Sequence, residues 1–430
     1  MKKILIFLIA FPLFAELNIG GSLELYNRYL VGDSSRWVLN RVELTMTTEA
    51  DLGEHVHLRV ENIFTSENFP LVTNTSDLAE DEKTDPVSFT LGDAYADVYG
   101  FLLPNLDIRI GRQTINWGTA DKINPTSNFN PYDFDDFLSF GDRSPVNALR
   151  LFYTLDQFNL EAGFVPVFKP SYIPINEYTE NLFQTGYKGI RVVESAVSQP
   201  DENLSDGSSF GIRLSSNLAG WDISASYFRG HTKFPIPDSV IITPHDSVSF
   251  DMRSYSSFPA IQVLGFDFSG SLFKLGLWGE FGIYFPKEHI IEKKTILGVE
   301  RDTVLKDPYA KYVIGADYTF RDGTYLNFQF VHGFINEYGD SLNDYITFKI
   351  EKKFLNDRLK VAPLGIALEI PDWSNLDENY GYILNPSISY SPFDNVEFDV
   401  GGFVIDGKGE NTFARIKEID ELYMKVKVSF

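Results

Sequence analysis

Residues 421–430 read ELYMKVKVSF. In an extended strand Leu422, Met424, Val426, Val428 and Phe430 fall on one face, and Glu421, Tyr423, Lys425, Lys427 and Ser429 on the other, because successive side chains point to opposite sides. One such strand proves little, but the same alternation runs back through the chain. GSLELYNRYL sets Leu23 and Leu25 against Glu24, Tyr26 and Arg28. RWVLNRVELTMTTEA sets Val38, Val42, Leu44 and Met46 against Arg41, Glu43, Thr45 and Thr47. After the turn ADLGE, Val56, Leu58 and Val60 alternate with His57, Arg59 and Glu61. A wall with lipid on one side and water on the other calls for this pattern, in segments of roughly 10 residues.

The connections have a rhythm as well. Long links at Ser66 to Asp85, Gly111 to Pro145, Lys169 to Asp206, Thr232 to Phe258 and Pro286 to Pro308 alternate with tight turns near Pro104, Asp156, Gly220, Gly270 and Gly323. Medium links at 333–342, 371–380 and 406–418 continue the series. Short turns at one end and long loops at the other characterise a transmembrane barrel of the outer-membrane type. The expectation is therefore an all-β chain: a transmembrane antiparallel β-barrel of about 18 strands, with 16 as the alternative. Barrels of this size can enclose an aqueous channel. The last strand, closing on Phe430, resembles the assembly signal of bacterial outer-membrane barrels.

The chain begins MKKILIFLIAFPLFA, which reads as a signal peptide over residues 1–15, with Lys2 and Lys3 ahead of an apolar core. Residues 16–430 are then read as one barrel. No later apolar stretch is long enough for a membrane helix, so a membrane location would rest on strands. The 430 residues hold 37 basic and 60 acidic side chains, and that excess of acid argues against nucleic acid as a partner. It suits loops in an outer membrane whose lipid and lipopolysaccharide are bridged by divalent cations. Cysteine is absent, which excludes disulfides, thiolate metal sites and covalently attached haem. His55 and His57 share a strand face without a third ligand, so neither metal nor cofactor is expected. TSDLAEDEKTD lacks the spaced ligands and turn glycine of a calcium loop and reads as solvated charge. Aromatic residues reach 15%, enough for girdles at both membrane interfaces.

The stretch GRQTINWGTADKINPTSNFNPYDFDDFLSFGDRSP, residues 111–145, is too long for an ordinary link and too apolar to be disordered. Its Asn and Pro residues supply Asx turns and fixed dihedrals. Irregular backbone is tolerated at membrane depth where it lines a cavity, so the stretch is expected to fold into the barrel as a constriction loop. Candidate constriction residues are Arg112, Asn116, Trp117, Asp121, Asn124, Asp133, Asp135 and Asp136. The inward faces carry Arg28, Arg41, Arg59, Arg109, Arg150 and Arg213, a lumen wall of guanidinium groups that stay charged when partly desolvated. Pairing of these Arg with Glu and Asp on neighbouring strands is one expectation. A transverse field between the Arg wall and the Asp run of the loop is the other.

GRQTINWGTADKINPTSNFNPYDF resembles a segment, G-R-Q-x-x-x-W-G and then an N-P rich loop, of a porin-like Gram-negative outer-membrane family known only as a domain of unknown function. Alginate-export channels and phosphate-selective porins have a similar strand ending in Gly-Arg-Gln. The resemblance implies a β-barrel channel of the bacterial outer membrane, sometimes linked to hydrophobic or steroid-like substrates. Arg112, Gln113, Trp117, Gly118, Asn124 and Pro125 match the pattern, as constriction or loop anchor. Together these readings predict passive, partly selective diffusion of small solutes by a monomer or trimer. An outer-membrane enzyme using His231, His245, His289 or His332 is a rival, as is a surface-binding structural barrel. No catalytic motif stands beside any of those histidines, so no enzyme is expected.

Overall fold

A computed structural model describes residues 16–32, 35–67, 69–174, 178–179, 190–246 and 249–430. The expected signal peptide at 1–15 lies outside the described residues. In chain order the first strands are β1 (Glu16–Val31), β2 (Arg36–Leu52), β3 (Val56–Glu67), β4 (Val87–Val98), β5 (Leu106–Gln113) and β6 (Val146–Leu155). Next come β7 (Phe158–Val165), β8 (Ile190–Ser198), β9 (Ser209–Leu218), β10 (Trp221–His231), β11 (Ile236–Pro244) and β12 (Phe250–Ser257). They are followed by β13 (Ala260–Leu272), β14 (Leu275–Pro286), β15 (His289–Thr295), β16 (Gly298–Leu305), β17 (Tyr309–Thr319) and β18 (Thr324–His332). The last are β19 (Asp344–Phe354), β20 (Leu359–Ile370), β21 (Tyr380–Leu384), β22 (Ser387–Phe393), β23 (Val396–Lys408) and β24 (Asp420–Ser429).

Nineteen of these form a single antiparallel sheet. β21 and β22 are one stave, since both pair with β20 and with β23, so the wall is a closed barrel of 18 staves. The stave breaks at Asn385–Pro386 because a proline has no N–H to give the ladder. β24 pairs back onto β1 from Ser22↔Ser429 to Val31↔Asp420, which closes the barrel and removes every edge. The alternation read along the chain sets the register. Leu23 faces Leu44 and Leu25 faces Val42 on the outer side, while Tyr26 faces Arg41 inside. A slip of one residue would turn the apolar set into the lumen.

The short turns carry one aromatic girdle. Phe101, Phe273, Phe320, Phe354, Phe393 and Phe430 are all exposed, and all lie in or beside a tight turn or at the terminal strand's end. Between β9 and β10, Ala219 and Gly220 both have positive φ (54° and 83°), as the two-residue hairpin turn that matches strand twist requires.

At the other end the structure corrects one expectation. Three of the long links are not plain loops: they contain β8, β11, β12, β15 and β16, which join in the order β16-β15-β11-β12-β8 as a second, five-stranded sheet. β11 pairs with β15, and β12 with β8, in parallel, so segments far apart in sequence share one sheet. Most residues of β8 and β16 remain exposed, which leaves little apolar patterning to mark them as strands.

Candidate functional site: a loop tied into the lumen

Segment 114–145 folds into the barrel. Ile115, Trp117 and Phe129 pack with Val146, Ala148, Val165, Phe228 and Val263 of the wall. Further along, Ile123, Tyr132, Phe134, Phe137 and Leu138 join a second cluster with Phe234, Phe334, Phe413 and Ile416 from other links. The apolar residues that argued against disorder are thus the ones that pack inside the barrel. The wall makes room with glycine: a Cβ on Gly211 would come within 2.8 Å of Trp117 and 2.9 Å of Phe129. Gly211→Val is expected to overpack this contact at a cost of about 1–3 kcal/mol and to loosen the loop. Faster tryptic cleavage after the exposed Lys122 would report it; wild-type protection would disprove the packing role.

What ties the loop down is a residue that was not singled out along the chain. Glu280 of β14 points inward and is 2% exposed. Its carboxylate accepts five hydrogen bonds: from Thr119 N (2.6 Å), Ala120 N (2.6 Å), Asn124 Nδ2 (2.9 Å), Thr126 N (3.3 Å) and Thr126 Oγ1 (2.9 Å). Gly118 approaches so closely that a Cβ there would lie 2.3 Å from Glu280 Oε1, and its φ of +93° independently favours glycine. Asn130, fully buried, clamps the loop's base: its Oδ1 accepts from Ile115 N (2.7 Å), and its Nδ2 donates to Gln113 O (3.2 Å) and Ser144 O (2.9 Å).

The expected constriction residues divide. Asn124 belongs to the Glu280 knot. Trp117 is buried and donates through Nε1 to Glu161 (2.8 Å), so it anchors the loop to β7. Asp121 is exposed and accepts from Asn327 Nδ2 (3.3 Å), while Asn116 is exposed. Asp133 accepts from Ser144 Oγ (2.9 Å) and stays within the loop. Asp135 and Asp136 reach the wall, pairing with Arg41 (2.5 Å) and Arg28 (2.9 Å). Arg112 is corrected: it pairs across the sheet with the exposed Asn147 on the outer face and donates to the backbone carbonyls of Leu91 and Gly92. Strand parity gives the lumen position to its neighbour Gln113, opposite the buried Val146.

The Arg wall also divides. Arg59 pairs with Glu49 (2.6 Å), Arg109 with Asp97 (2.7 Å), Arg150 with Glu161 (2.7 Å) and Arg213 with Asp267 (3.0 Å), all within the wall. Only Arg28 and Arg41 cross to the loop, and each also meets a wall carboxylate, Glu421 and Glu67 respectively. Asp135 and Asp136 therefore touch the wall directly, because the loop's aromatic residues bring them against it.

The sites of the rival readings are placed as follows. Asp77, in the acidic loop, accepts from Thr73 N (2.9 Å), Asn74 N (3.1 Å) and Lys83 Nζ (2.6 Å). His231, His245, His289 and His332 each lie beside an Asp. At His289 the nearby Ser257 donates to Asp238 (2.7 Å), the wrong order for an activated nucleophile.

A closed 18-stave barrel with a loop tied into its lumen defines a porin-like barrel of the outer-membrane type. The chain belongs to the family described as "Protein of unknown function (DUF1302)", which matches residues 57–290. No curated protein matches it in sequence. Its fold is similar to that of OccAB3 of Acinetobacter baumannii, with a TM-score of 0.52 and 11% identity, covering 96% of this chain and 99% of that one. It is similar also to Pseudomonas aeruginosa OpdK, solved with vanillate, at TM-score 0.52 and 8% identity, covering 96% and 98%. Pseudomonas aeruginosa OccD3 (OpdP) matches at TM-score 0.50 and 11% identity, covering 96% and 91%.

Proposed function

We propose that the protein is a bacterial outer-membrane channel for passive, partly selective diffusion of small solutes, and not an enzyme. The observation that carries this reading is the loop knotted onto Glu280, which narrows an 18-stave barrel otherwise wide enough for water. A structural or surface-binding barrel has no need of a polar knot at mid-lumen. OpdK, a barrel of similar fold, holds an aromatic acid in its structure, which is consistent with a small organic solute here. The outer face meets membrane lipid and lipopolysaccharide, and the barrel acts as a monomer or trimer. Single-channel recording of the refolded chain in planar bilayers tests the reading. Stepwise conductance is expected, rising when Asp133 to Leu138 is shortened. Silence both before and after shortening would sink the channel.

A further inference from the structure

Beside the knot lies a cavity of about 40 Å³, whose lining includes Tyr132, Arg143, Lys233, Tyr284, Lys311 and Tyr338. A void of that size admits a few water molecules or a compact ionic group. Among the described residues no Asp or Glu lines it. Lys233 is 7% exposed and Lys311 4%. A buried ammonium ordinarily has a carboxylate beside it, because its lost hydration is otherwise uncompensated. Among the described residues the Lys233 ammonium has no hydrogen bond or ion pair and rests only over the Phe168 ring, at 5.1 Å.

The other cations are little better matched. Lys311 donates to the Phe334 carbonyl (2.6 Å). Glu337, the one carboxylate acting on it, is already engaged by Phe334 N (2.8 Å), Asn343 N (3.0 Å) and Tyr345 OH (2.6 Å). Arg143 donates to Asn130 O (3.1 Å) and Tyr132 OH (2.8 Å), neither of them charged. His231, which also lines the cavity, keeps a buried Nδ1 without a hydrogen-bond partner. Burial, with Arg143 nearby, pushes the Lys233 ammonium down to about 7, as expected of a cation lacking its counter-charge.

We propose that this cavity is an oxyanion site, and that its ligand is the carboxylate head of a permeating small acid, held by Lys233, Lys311 and Arg143. Charge-assisted bonds from two ammonium groups and a planar guanidinium suit a carboxylate. The volume admits the head of such an acid. The identity of the solute as a permeant rests on the channel reading; the anion site itself does not.

The full chain, refolded in detergent, is heated at matched ionic strength in chloride, benzoate or phosphate. Ligand that binds only the folded state raises the unfolding midpoint with concentration and then with its logarithm. Benzoate is expected to raise the midpoint above that in chloride, and Lys233→Met and Lys233→Gln each to remove most of that shift. Lys233→Met is also expected to raise the midpoint in chloride, since an apolar side chain replaces an unpaired buried cation. A midpoint identical in all three salts, or variants that keep the whole benzoate shift, would overturn the site. A shift with phosphate alone would overturn the carboxylate assignment. A conducting barrel without an anion shift removes the site and leaves the channel; a silent barrel with the shift removes the channel and leaves the site.

Discussion

Glu280→Ala is expected to release the loop from the lumen and raise single-channel conductance while the barrel wall stays folded. The substitution leaves Thr119 N, Ala120 N, Asn124 Nδ2, Thr126 N and Thr126 Oγ1 without their shared acceptor. Hydrogen bonds to a charged group are the strong ones, and stranding buried donors costs more than the bonds are worth, so the loop's docked state loses about 3–5 kcal/mol. The wall does not share this loss, because β14 keeps its ladders to β13 and β17. Glu280→Gln, which retains one acceptor oxygen, should fall between wild type and Ala. Planar-bilayer recording measures conductance, and the heat-induced shift of the barrel band on a semi-native gel checks the wall. Unchanged conductance in Glu280→Ala with an intact barrel would show that apolar packing alone holds the loop.

The second large effect belongs to Glu369 of β20, four staves round the wall from Glu280. It is fully buried and accepts from Asn343 Nδ2 (3.0 Å), Thr412 N (3.1 Å) and Phe413 N (2.9 Å). It thereby pins the short helix Thr412–Arg415, whose Phe413 joins the cluster that also holds Phe134 and Phe137 of the main loop. Glu369→Ala is expected to weaken this docking by about 2–4 kcal/mol. Its mark should be frequent current fluctuations, since it frees a small lid and leaves the Glu280 knot tied. The two carboxylates bind no common donor, so the double variant should combine both losses nearly additively. A double variant no more open than Glu280→Ala would mean that the helix does not obstruct the pore.

Much of this design can be read along the chain, and the exceptions have a common cause. Alternation in GSLELYNRYL and ELYMKVKVSF gives strands and faces, because pleat geometry is local. Trp117, Asn124 and the Asp run stand out as constriction candidates from their setting in 111–145, but which of them anchor the loop is not legible there. Glu280 does not stand out: in GLWGEFGIYF it is one inward carboxylate among glycines and aromatics, with nothing beside it to announce five donors from a loop over 150 positions earlier. Arg112 misled because the motif groups it with Gln113, although adjacent strand residues must face opposite sides. The five-stranded sheet is not legible along the chain because β8, β11, β12, β15 and β16 become neighbours only after the barrel has brought their links together.

Periodicity, composition and loop spacing suffice to assign the barrel, a count of about 18 staves and the stretch that folds inward, since each depends on contacts within a hairpin or on one side chain's preference for lipid or water. Folding alone decides which carboxylate ties the loop, which Arg leave the wall to meet it, and where Lys233 and Lys311 come to face one cavity. Those outcomes depend on donors and charges from distant strands converging in a lumen where unpaired polar groups are costly, and nothing local in the chain encodes that convergence.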